Sequence, residues 1–161
     1  MNILVVDARK RDGNKPLRWI FGIAFTGRKA TLGFRNVPYR MAFSAHREYV
    51  LALLLILVNV IKEMPIKKGA AVKAFICKDW SLPKEAEILS VMEEIVYEET
   101  KVFISISFIT RKEAKGVMRL AELYERAHRA AKGEPELSKD LKQERNLFLR
   151  LFYRLRRIRV S

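Results

Sequence analysis

Three carboxylates in this chain fall where its direction should change. Asp7 closes the apolar run Asn2-Ile3-Leu4-Val5-Val6-Asp7, and Asp79 closes Ala74-Phe75-Ile76-Cys77-Lys78-Asp79. Glu48 stands in the first turn of a helical stretch that opens at Ala45-His46-Arg47-Glu48. Two strand ends and one helix start can bring three acids to one point, and a hard divalent cation takes several carboxylate oxygens. Metal held in this way is the usual means of cutting phosphodiesters, and it needs no side-chain nucleophile. The sequence offers no convincing one: His46 and His128 have no sequence-near Ser or Cys that would suggest a triad. Taken singly, each acid has a plainer reading. An Asp at a strand end also serves as a turn or cap residue, and Glu48 is favoured in a first helical turn by the helix dipole.

Charge suits a phosphate-bearing substrate. The 161 residues carry a formal net charge of +14 with a pI near 10.2, and half of them are apolar. That length and composition predict one globular domain with a real core, not a disordered basic arm. A basic surplus of this size points to DNA, RNA or an anionic membrane surface. It is unevenly placed. Lys or Arg stands at 9, 10, 11, 15, 18, 28, 29, 35, 40 and 47, against only Asp7 and Asp12 in the same stretch, while residues 85–99 are acidic. Arg9, Lys10, Arg11, Lys15 and Arg47 therefore lie beside the first two acids, placed to grip a nucleic-acid backbone. Trp19 and Trp80 are candidates for stacking on a base, with a core position the plainer reading for Trp19.

Several classes are set aside. The single cysteine, Cys77, excludes an intramolecular disulfide and a Cys-rich zinc site, and predicts a reducing, cytoplasmic setting. The chain opens straight into an apolar run, so secretion is not expected. Its most apolar stretch, Tyr49 to Ile61, is too short to cross a bilayer core of ~30 Å and reads as a buried helix.

The elements that would position the acids follow from periodicity. Ile3–Val6 is continuously apolar, as in a strand buried on both faces, and residues 8–18 form a basic turn containing Asp12-Gly13-Asn14 and Pro16. Residues 19–26 and 30–35 are two strands joined by the tight turn Gly27-Arg28-Lys29. Ser44 caps a helix from Ala45 to about Met64, stopped by Pro65. A strand at 71–77, a helix at 84–99 begun by Pro83, and a strand at 102–109 come next. A helix at 112–132 breaks at Gly133-Glu134-Pro135, and a last helix runs from Ser138 to about Arg159. Three antiparallel strands followed by alternating helices and strands predict a mixed α/β sheet of five strands, covered on both faces.

This order resembles the ribonuclease H-like fold of the ribonuclease H and retroviral-integrase superfamily, over roughly residues 1–132. Asp7, then Gly13-Asn14, then Trp19-Ile20-Phe21-Gly22 resemble that family's first acid, turn and aromatic-rich second strand. Arg47-Glu48-Tyr49 is similar to the helix start bearing the second acid, and Asp79-Trp80-Ser81 to the third. The family's fourth acid has no counterpart in Met118-Arg119-Leu120-Ala121; Glu113, at the start of the same helix, is the candidate replacement, or else a simple helix-start acid. The resemblance implies a two-metal-ion endonuclease with two Mg²⁺ or Mn²⁺ ions about 3.5–4 Å apart. Asp7 would bridge them, Glu48 and Asp79 would each hold one, and the expected substrate is the RNA strand of an RNA–DNA hybrid. An inactive nucleic-acid-binding or assembly module on the same fold is the alternative.

Residues 133–161 form a second unit, a basic amphipathic extension. Arg150, Arg154, Arg156, Arg157 and Arg159 crowd its end. They could complement the helix dipole, or clamp nucleic acid through residues such as Arg154 and Arg157. The near-heptad apolar spacing also allows a homodimer through this helix, and its basic amphipathic character a peripheral membrane contact.

Overall fold

A computed structural model describes residues 2–11, 18–26, 32–35, 45–64, 66–132, 137–140, 149–150 and 153–154. Strand β1 is Asn2–Arg11, β2 Arg18–Phe25 and β3 Leu32–Arg35; helix α1 is Ala45–Glu63. Then come β4 at Ala71–Cys77, α2 at Glu85–Thr100 and β5 at Phe103–Ile109. Helices α3 (Arg111–Gly116) and α4 (Met118–Ala131) and a short β6 (Leu137–Asp140) complete the order.

One mixed sheet results, in the order β5-β4-β1-β2-β3-β6. β1, β2 and β3 pair antiparallel, whereas β4 joins β1, and β5 joins β4, in parallel. The first five strands thus have the connectivity that the sequence predicts, an antiparallel trio extended by helical crossovers. Among the described residues, however, the sheet has six strands and not five. Leu137–Asp140 pairs parallel to β3, where the sequence places the opening of the last helix. The outer edge of β3 offers unpaired backbone groups, and satisfying them overrides the local preference of four residues. Most of the remainder of that expected helix, the turn at Gly13-Asn14, the cap at Ser44 and the stop at Pro65 lie outside the described residues.

β1 is longer than its apolar run. It continues through the basic residues, with Arg9 opposite Ile20 and Arg11 opposite Arg18, so residues 8–11 are strand and not turn. Asp7 is consequently an interior residue of β1, paired with Gly22 on one side and Cys77 on the other. It is nevertheless the last β1 residue paired to β4, so it marks the end of the parallel ladder.

Alternation along β1 assigns its side chains to two cores. Leu4, Val6 and Ala8 pack with α1 and α2, joined by Val72, Ala74 and Ile76 of β4 and Ile104 and Ile106 of β5. Ile3 and Val5 face the other way, toward Leu120, Leu123, Tyr124 and Ala127 of α4. The period of two puts Asp7 on the α4 face. α1 is buried along nearly its whole length, from Tyr49 to Ile61; its one polar residue there, Asn59, donates to the Leu55 carbonyl at 2.7 Å. Among the described residues, no helix is long and apolar enough to cross a membrane.

The single helix expected at 112–132 is two. Gly116, a poor helix former, ends α3, and Val117 adopts an extended conformation (φ −104°, ψ 115°) before α4 begins. The break lets each helix follow its own axis. α4 then lays a stripe of Leu120, Leu123, Tyr124, Ala127 and Ala131 across the sheet, the spacing of an amphipathic helix.

Candidate active site

The local rules that place the acids also place a cation between them. β4 ends at Cys77, and the backbone N–H of Lys78 then donates to the Ile109 carbonyl at 2.9 Å, tying the exits of β4 and β5 together. Asp79 follows at the rim. On the β5 side, Thr110-Arg111-Lys112-Glu113 forms a capping box at the start of α3. The Thr110 hydroxyl accepts from the Glu113 N–H, and Glu113 Oε1 accepts from the Thr110 N–H, both at 3.1 Å. That closure makes Arg111 the first helical residue, with its own N–H donating to Asp79 Oδ1 at 3.1 Å.

The Arg111 side chain spans the two acids. Nε donates to Asp7 Oδ1 at 3.2 Å, Nη1 to Asp79 Oδ2 at 3.2 Å, and Nη2 to the Ala8 carbonyl at 3.2 Å. Asp7 is buried (1 % exposed), while the Asp79 and Arg111 side chains are 50 % and 38 % exposed. Burial works against the guanidinium charge, but the charge and hydrogen bond of Asp7, with Asp79, outweigh it and hold the Arg111 pKa above its ordinary value.

The second Asp7 oxygen meets α4. His128 Nδ1 lies 2.8 Å from Oδ2, and because a carboxylate only accepts, Nδ1 carries the proton. Gly22 makes this approach possible. It is Asp7's partner on β2, and a Cβ there would stand 1.7 Å from the Ala127 carbonyl oxygen. The helix backbone rests directly on the glycine, which brings the following turn of α4 over Asp7. Tyr124, one turn earlier, stacks on the His128 ring with centroids 5.5 Å apart. Burial, then the Asp7 charge, raises the Tyr124 phenol to about 12 and the Cys77 thiol likewise to about 12. Neither is an anionic nucleophile near neutrality.

α1 begins at the same end of the sheet. The Tyr49 ring lies 4.8 Å from Trp80 and 6.2 Å from Phe21, centroid to centroid, and its phenol is pushed up by burial and then by the Asp7 charge. The backbone of Glu48, its neighbour, therefore belongs to the Asp7 and Asp79 end; its side chain lies outside what is described. Next to Asp79 opens a cleft of about 370 Å³, with Lys78, Trp80, Phe108, Thr110 and Glu113 among its walls. Lys78 is buried there, its Nζ 2.8 Å from both the Trp80 carbonyl and Glu85 Oε1 and 4.4 Å from the Phe108 ring centroid.

The structure thus brings Asp7 and Asp79 together and sets the start of the Glu48 helix beside them. Glu113 is not in this cluster: its carboxylate serves the capping box. Among the described residues, no three metal-capable side chains converge. Two carboxylates within the span of one guanidinium nevertheless match the oxygen donors of a hard cation. A divalent ion would take both as donors only with the Arg111 guanidinium out of that interval and the half-exposed Asp79 side chain turned toward Asp7.

Of the expected nucleic-acid contacts, Arg9 is an exposed residue of β1 beyond Asp7. Lys10, Arg11 and Arg47 have described backbones only, and Lys15 and Arg157 lie outside the described residues. Arg154 is engaged within the chain, with Glu94 at 2.7 Å and Glu98 at 3.2 Å, and Arg150 pairs with Glu99. Glu93, Glu94, Glu98 and Glu99 are accordingly not a plain solvated face, since Glu93 also accepts the Ile106 N–H of β5 at 2.9 Å. Sequence reasoning missed Arg111 and gave His128 no role. The Thr-x-x-Glu pattern at 110–113 could have indicated the first; nothing local indicates the second.

No protein-family model matches the chain, and no curated protein does. Among solved structures, "T. thermophilus RuvC in complex with Holliday junction substrate" aligns over 94% of this chain and 88% of that one, with 10% identity and a TM-score of 0.38. "Thermus thermophilus RuvC structure" covers 84% of this chain and 98% of that one, with 11% identity and a TM-score of 0.32. At these values the likenesses carry no argument about this chain, which rests on its own strands and side chains.

Proposed function

We propose that the chain is a metal-dependent nuclease of ribonuclease H-like type, acting on nucleic-acid phosphodiesters. One observation carries the reading: Asp7 and Asp79 come together at the end of the β1–β4 ladder, both bonded to the one Arg111 guanidinium. A divalent ion bound to them would stabilise the leaving oxygen and make an attacking water more acidic. The chain's own residues prepare that place. Burial fixes Asp7, and the His128 N–H fixes which way its carboxylate faces. Asp79, half-exposed, stands where a phosphate arriving from solvent would meet it. Glu48 is the proposed third donor, supported by where α1 begins. Arg9 supplies exposed positive charge for the backbone. The RNA strand of an RNA–DNA hybrid is the substrate named by the sequence resemblance.

A second reading has its own observation. With Arg111 between the acids and Glu113 held in a capping box, the same fold would also serve as a non-catalytic nucleic-acid-binding module. Cleavage of end-labelled RNA–DNA hybrid, duplex DNA, branched DNA and single strands in Mg²⁺ and Mn²⁺ separates the two. Metal-dependent cutting by the wild type, abolished in Asp7→Asn, is the expected result. Tight binding without cutting of any substrate would leave the binding module.

A further inference from the structure

Asp7 is buried with two partners, Arg111 on Oδ1 and His128 on Oδ2. It is 1 % exposed, and breaking a buried charge pair by removing one partner is strongly destabilising. A divalent ion that uses Asp7 Oδ1 and Asp79 Oδ2, the two oxygens Arg111 bonds, has to take the place of its guanidinium. The way Arg111 is attached permits this. Its backbone is held by the capping box and by the bond from its N–H to Asp79 Oδ1, neither of which involves the guanidinium. The side chain is 38 % exposed and lies at the rim, so it can swing out while α3 stays in place.

Resting on the metal-dependent reading above, we propose that Arg111 is an exchangeable counter-cation. It closes the site by neutralising Asp7 and Asp79, and it yields its place to a divalent ion when a phosphodiester arrives. Exchange gives up the guanidinium bonds to Asp7, Asp79 and the Ala8 carbonyl. The freed fork suits a phosphate, which guanidinium binds in a bidentate manner. Nucleic acid and metal then favour each other's binding, because each removes a competitor of the other. The consequence is weak metal binding by the free protein, and a metal-free site held by Arg111 together with His128.

The test is a Mn²⁺ titration of the free protein, by the loss of the free-ion electron paramagnetic resonance signal, with the thermal midpoint read alongside. Wild type runs beside Arg111→Gln and Arg111→Lys; the lysine variant keeps a charge, and so a fold, but lacks the fork. The expected result is Mn²⁺ binding at least tenfold tighter in Arg111→Gln and detectably tighter in Arg111→Lys. Without metal, the midpoint of Arg111→Gln is lowered, and Mn²⁺ restores it toward wild type. Equal affinities, or weaker binding in the variants, would overturn the exchange while leaving the metal reading in place. Absence of Mn²⁺ binding in all three proteins would overturn both.

Discussion

Gly22→Ala should cost far more than one methyl group suggests. The added Cβ would lie 1.7 Å from the Ala127 carbonyl oxygen and 2.6 Å from the Ala131 nitrogen, and both obstacles are backbone. No rotamer change relieves them. Contacts below 3.0 Å are not sustained, so α4 must retreat by at least 1.3 Å, the difference between 3.0 and 1.7 Å. His128 rides on that turn. A retreat of this size along the bond takes Nδ1 from 2.8 Å to about 4 Å from Asp7 Oδ2, beyond hydrogen-bonding reach. Overpacking costs about 1–3 kcal/mol, and a hydrogen bond to a charged group contributes about 1.5–3 kcal/mol. Together they predict about 2.5–6 kcal/mol. Urea unfolding followed by tryptophan fluorescence would measure this, in a cycle with His128→Ala. His128→Ala should destabilise the wild type and add almost nothing to Gly22→Ala, whose histidine is already detached. A Gly22→Ala cost below about 1 kcal/mol, or a His128→Ala cost that is the same in both backgrounds, would refute the account of how α4 is seated.

Two further outcomes follow from the site. Thr110→Ala and Glu113→Ala should each lower stability by about 1 kcal/mol and be strongly coupled, because they break one capping box. If Glu113→Ala leaves stability unchanged and removes metal binding, Glu113 is a ligand after all. Alkaline pH should also destabilise the fold. The folded pKa of Cys77 and of Tyr124 is raised to about 12, so above pH ~9 the unfolded chain releases protons that the folded chain retains. The contribution of Cys77 is complete below its unfolded pKa and falls by about 1.4 kcal/mol per pH unit as the pH rises toward 12. Melting curves from pH 8 to 11 should fall less steeply in Cys77→Ser than in the wild type; parallel curves would contradict the assignment to Cys77.

The central frame was legible because its signals are local and redundant. β4 at Ala71–Cys77 coincides with its apolar run, and α1 could be read from a long stretch of apolar residues. Asp7 and Asp79 stood out for the same reason, since each is a charge terminating such a run. What escaped depends on contacts distant in sequence. β6 exists because β3 has an open edge, and the polar Leu137-Ser138-Lys139-Asp140 carries no period that announces a strand. β1 runs past its apolar residues because β2 keeps pairing with Ala8 to Arg11. His128 acquires its partner 121 residues away only through the close seating of α4 on Gly22. Arg111 was passed over because a cation between two acids reverses the expectation that acids at strand ends await a metal.

The pairing of β3 with β6 constrains how the protein can be made. Leu32 pairs with Leu137, so this ladder joins positions about two-thirds of the chain apart. During synthesis the hairpin of β1 and β2 can form early, and β3 can join it, but the outer edge of β3 has no partner until residues near 140 emerge. A growing chain therefore carries a free strand edge through most of translation, the kind of edge that recruits other strands. Non-local closure of this sort is also slow. Premature termination between β5 and β6 would release a nearly complete sheet with the β3 edge uncovered, and such fragments should associate with one another more readily than the full-length protein does.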